Sequence, residues 1–115
     1  MGVVSGVYKL PAQEFFTGET PLIKMYEKNG DTNQPLNLVG ATSTLRLCYF
    51  EDKSFVIMTK VGTIKEPLLG YVEFQMHEND TNNLEEGSYL IQRELVLSDG
   101  TVSIVEGEWF LRKGV

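Results

Sequence analysis

Alternation of apolar and polar residues, cut at short intervals by turn formers, runs through most of this chain and predicts antiparallel β-structure. The run from Gly70 to Arg112 is clearest: GYVEFQM, then HENDTNNLEE, GSYLIQRELVL, SDGT and VSIVEGEWFLR. Val72, Phe74 and Met76 fall on one face of the first of these segments, with Tyr71, Glu73 and Gln75 on the other. Thr42–Phe50 (TSTLRLCYF) alternates equally well and is expected to turn Ser43, Leu45, Leu47 and Tyr49 toward the core. A polar turn at Glu51-Asp52-Lys53 leads into a strand at Phe55–Val61, and Gly62–Leu69, with Pro67, reads as a loop. Further strands are expected at Ala12–Phe16, Pro21–Lys28, Gly87–Leu97 and Val102–Leu111, with a bulge at Gly107. Pro21–Lys28 has no clean apolar face, which suits an edge strand or one covered on both sides.

Between these segments lie strong breakers. NGDTNQP at 29–35 carries an Asn-Gly hairpin or loop signal. Glu78–Glu86 is rich in acids and asparagines, types depleted in strands. Asp80 or Thr81 there is placed to cap a single helical turn. About seven to nine short strands at roughly ten-residue spacing, with no long amphipathic helix, mean a sandwich or a barrel. The expected fold is an all-β, Ig-like antiparallel β-sandwich: residues 12–115 form one domain, and residues 1–11 are a flexible arm or an edge strand. Tyr89, opening a strand just after Gly87, fits that architecture.

A length of 115 residues suffices for one real core. Sixteen acidic against ten basic residues leave a net charge of −6, which argues against a nucleic-acid backbone or an anionic membrane as the main partner. One cysteine, Cys48, forbids an intrachain disulfide and suits synthesis in a reducing cytosol. No apolar run approaches the ~20 residues that span a bilayer, and the start MGVVSGVYKLPAQ lacks the form of a signal peptide.

No motif carries catalysis. His77 is the single histidine, and zinc requires three or four ligands at suitable spacing. Cys48 with His77 has no signature of a nucleophile and base, and a lone strand cysteine packs. Asp31-Thr32-Asn33 and Asn79-Asp80-Thr81-Asn82 offer oxygens to calcium without its twelve-residue loop pattern. Turn formation and capping account for both. No metal, cofactor or catalytic residue is therefore assigned, and the expectation is a binding domain rather than an enzyme. Trp109 and Phe110, adjacent in the final strand, must face opposite ways. One packs in the core, while the other faces outward as a candidate interface anchor. Tyr71 is the third candidate, and Gln75 and Tyr26 extend the same surface.

The segments GET at 18–20, LNLVGAT at 36–42, GYVEF at 70–74, DTNNLEEGSYLIQREL and SDGTVSIVEGEWFL resemble, in order and spacing, the N-terminal domain of phage baseplate upper proteins. The likeness runs over residues 17–112, with Asn37 where the family pattern has an aspartate. It implies a virion structural protein of a Gram-positive phage or prophage, made in the host cytoplasm and residing in the tail or baseplate. Its implied task is to link a tail hub to receptor-binding components. Other tail proteins, and a homo-oligomer such as a trimer, are the implied partners. The alternative is an Ig-like adhesion or carbohydrate-binding module.

Overall fold

The structure is a computed structural model that describes residues 13–113. The expected arm at 1–11 lies outside the described residues. Eight strands form: β1 (Gln13–Phe16), β2 (Leu22–Tyr26), β3 (Thr42–Tyr49), β4 (Asp52–Val61), β5 (Thr63–Glu66), β6 (Tyr71–Gln75), β7 (Gly87–Val96) and β8 (Val102–Arg112). They make a five-stranded sheet ordered β1-β8-β7-β3-β4 and a three-stranded sheet ordered β2-β6-β5. The fold is the expected all-β sandwich, with one departure from pure antiparallel pairing: β1 runs parallel to β8.

Period-two patterning accounts for the layers. Leu45, Leu47, Met58, Ile91, Trp109 and Leu111 of the larger sheet meet Val72, Phe74 and Met76 around one interior. Each large side chain buried there contributes roughly 1.5–3 kcal/mol by leaving water. Pro21–Lys28 resolves as the edge strand β2, with Ile23 and Met25 turned to the core and Leu22 and Tyr26 outward.

Several expectations are corrected. The Gly62–Leu69 segment is not a loop throughout: it holds β5 and a 3₁₀ turn at Pro67–Leu69. Four residues ending at a proline are too few for alternation to register. Gly107 lies opposite Ile91 in an unbroken ladder, so no bulge forms there. The register shifts instead at Leu47–Tyr49, against β4. Tyr49, expected in the core, sits at the sheet's end and is 44% exposed. The helical turn forms at Glu78–Thr81 (α1), but its N-cap is His77. Asp80 serves by accepting the His77 N–H at 2.7 Å, and buried Thr81 accepts the Gly18 N–H at 2.9 Å.

Two glycines decide how the sheets connect. Gly62 carries the chain from β4 to β5, and a Cβ there would stand 2.6 Å from Val72 and 2.7 Å from Phe74. Gly70, at φ +68, would press a Cβ within 2.3 Å of the Glu27 carbonyl, a conformation and an approach that only glycine accommodates. Glu27 in turn donates its N–H to the Gly70 carbonyl and accepts from the Leu36 N–H.

Candidate functional site

The three aromatics expected at an interface are not brought together. Trp109 is 4% exposed, packed in the core with Phe15 at 4.8 Å between ring centroids. Phe110 faces outward from the five-stranded sheet, beneath the Arg112 guanidinium at 5.2 Å. Tyr71 lies on the outer face of the other sheet, stacked on Tyr26 at 4.7 Å. Its hydroxyl donates to Glu73, which pushes the phenol pKa up to about 12. Strand alternation foretold the split between Trp109 and Phe110; which sheet each surface belongs to depends on topology.

Cys48 is fully buried, and burial pushes its thiol pKa up, which keeps it protonated and unreactive. His77 is exposed at the start of α1. Asp31 and Thr32 donate their backbone N–H groups to the Asn29 side chain, so the NGDTNQP segment is a turn closed by its own asparagine. Among the described residues, no group of three or more His, Cys, Asp or Glu is placed to hold a metal ion. None of the described helices is long and apolar enough to cross a membrane.

At one end of the larger sheet aromatic and charged groups converge around an open space. The β3–β4 hairpin turns at Phe50-Glu51 and faces the start of β7. Between them lies a cavity of about 330 Å³ lined by Tyr49, Phe50, Glu51, Asp52, Phe55 and the 86–89 segment. Tyr49 holds the rings together, 5.1 Å from Phe55 and 6.1 Å from Tyr89. Phe50 and Phe55 are 52% and 57% exposed, too open to serve the core.

The β7 wall is anchored. The Tyr89 hydroxyl donates to the Glu85 carbonyl at 2.6 Å, so the chain is pinned where it enters the strand. Burial, then the neighbouring Tyr49 and Glu85, raise the pKa of that phenol and keep it a donor.

Three carboxylates, Glu51, Asp52 and Glu86, stand among these rings. Asp52 accepts from the Ser54 N–H at 3.1 Å. Among the described residues Glu51 has no ion pair, and Glu86 acts only at a distance on Arg112, which is already held by Glu14 at 3.0 Å. Lys53, next to Asp52 in sequence, is drawn away to Glu106 at 3.4 Å. The site thus joins electron-rich ring faces to three carboxylates that form no ion pair among the described residues. Sequence reasoning passed over it because Tyr49 and Phe50 read as core and strand end, and Glu86 lies 35 or more positions away.

Comparison with known proteins adds a fold neighbour and no family. No family model and no curated protein matches the chain. Among solved structures, CopC from Methylosinus trichosporium OB3b superposes with a TM-score of 0.55 at 14% identity, covering 91% of this chain and 88% of its own. At that identity the likeness establishes the shared sandwich alone. It also corrects the functional expectation: the solved structure that the chain resembles is CopC, not a phage baseplate protein. With no family model and no curated match either, the tail or baseplate reading and its alternative are not carried further.

Proposed function

We propose that this domain is a non-enzymatic binding module whose aromatic pocket receives an organic cation, a lysine- or arginine-type side chain or a small ammonium. The observation that carries the reading is the cavity itself: Tyr49, Phe50, Phe55 and Tyr89 around a space rimmed by Glu51, Asp52 and Glu86. A cation over an aromatic face gains about 0.5–1 kcal/mol when exposed and about 2 when desolvated. A hydrogen bond to a carboxylate adds about 1.5–3 kcal/mol. Two or three such contacts match an affinity on the order of 1 mM, or about 4 kcal/mol. The net charge of −6 raises the local concentration of cations in the same direction. A metal ion finds no comparable support: His77 is exposed at α1 and Cys48 is buried, so the described donors do not converge.

The test is a titration of the isotopically labelled protein with capped lysine amide, followed by amide chemical shifts, with capped norleucine amide as the uncharged control. Shifts confined to residues 49–55 and 86–89, weakening as salt rises, are expected. The combined variant Glu51→Gln, Asp52→Asn, Glu86→Gln should lose at least tenfold in affinity. Equal shifts from norleucine amide, or none from lysine amide, would sink the reading.

A further inference from the structure

We infer that the outer edge of β4 accepts an extended segment of a cationic partner polypeptide as an added strand, a proposal that rests on the pocket reading for the seat of one basic side chain. β4 ends the order of the five-stranded sheet, and among the described residues no strand pairs with its outer side. It is ten residues long, against four for β1 at the opposite edge. A free edge presents unpaired N–H and C=O groups that template another strand.

The devices that usually blunt such an edge are weak here. Asp52–Val61 contains no proline or glycine. Its two lysines are both turned to acids, Lys53 to Glu106 at 3.4 Å and Lys60 to Asp80 at 2.9 Å. The register shifts lie at the pocket end, and from Met58 to Val61 the pairing with β3 is regular. Phe55, Val56 and Val61 stand exposed along the strand, ready to flank the alternating side chains of an arriving chain.

Charge selects the occupant. Glu51 and Asp52 lie at the start of β4, where the strand meets the pocket, with Glu86 across the cavity. An extended chain lying along β4 toward its start therefore meets the pocket, and a basic side chain there is the complement of those carboxylates. A second copy of this chain brings its own charge of −6 to the same edge and is disfavoured.

The probe is a capped decapeptide of alternating lysine and threonine, added to the whole 115-residue protein. Two further forms carry backbone N-methyl groups on the lysines or on the threonines, and capped lysine amide is titrated in parallel. The peptide is expected to slow amide exchange within 52–61 and to bind at least tenfold tighter than lysine amide. One of the two N-methylated forms should lose that gain, because it lacks the donors that face β4. Should both methylated forms bind as well as the parent, with 52–61 unprotected, strand addition is overturned while the pocket stands. Protection of 52–61 without lysine-amide shifts at the pocket overturns the seating of a basic side chain and the pocket reading, but not the added strand. Protection that grows with protein concentration in the absence of peptide assigns the edge to a second copy and overturns the proposal.

Discussion

Tyr89 shows how much one residue can be read from its local setting. Gly87, one residue, then a tyrosine at a strand start fits a sandwich, and the phenol reaches back to the Glu85 carbonyl. Tyr89→Phe keeps the ring against Tyr49 and removes only that donor, so it should cost about 1 kcal/mol. A fall in the urea midpoint at unchanged m would show it; an unmoved midpoint would mean the bond adds nothing net. Phe50 and Phe55 were not legible in the same way. Their importance comes from exposure, and a phenylalanine that stays in water leaves no mark on the alternation around it.

At the scale of elements, a buried ion pair joins the end of β2 to the middle of β7. Arg93 and Glu27 meet at 2.9 Å with side chains only 5% and 9% exposed, and Arg93 also donates to the Ser103 carbonyl. Oε2 of Glu27 and Nε of Arg93 have no partner among the described residues. Burial outweighs the attraction, raising the pKa of Glu27 and lowering that of Arg93. Arg93→Met would strand an unpaired carboxyl and should cost about 3–5 kcal/mol near neutral pH. With the guanidinium gone only desolvation acts, so the folded-state pKa of Glu27 rises further above its unfolded value. The folded variant then favours the protonated acid, and its stability is highest below the unfolded pKa and falls as pH rises through the raised value. Denaturation at pH 4 and pH 8 should therefore find Arg93→Met nearer the parent at pH 4. Replacing both residues by methionine should recover most of the loss. Arg93 lies on the inward face of β7 with Leu95 and Ile91, and the acid that answers it is 66 positions away.

For the whole molecule, the crossing between sheets at Gly62 matters more than any single strand. Gly62→Ala places a methyl against Val72 and Phe74, both fully buried, so the sheets must separate or the rings must shift. Overpacking of this kind costs about 1–3 kcal/mol, and a thermal midpoint unchanged from the parent would show that the core yields freely. The sequence by itself determined the positions of the strands other than β5, the inward faces of β3 and β6, the sandwich class and the splitting of Trp109 from Phe110. Each of these follows from period-two burial and from turn chemistry, which act over a few residues. Only the tertiary structure decided that β1 joins β8 in parallel, that β5 exists, and that β4 ends the order of the five-stranded sheet among the described residues. It alone brought Tyr49, Phe55, Tyr89 and three carboxylates to one end. Those outcomes depend on which strands become neighbours, and neighbours are chosen by packing energy summed over the whole core rather than by any local pattern.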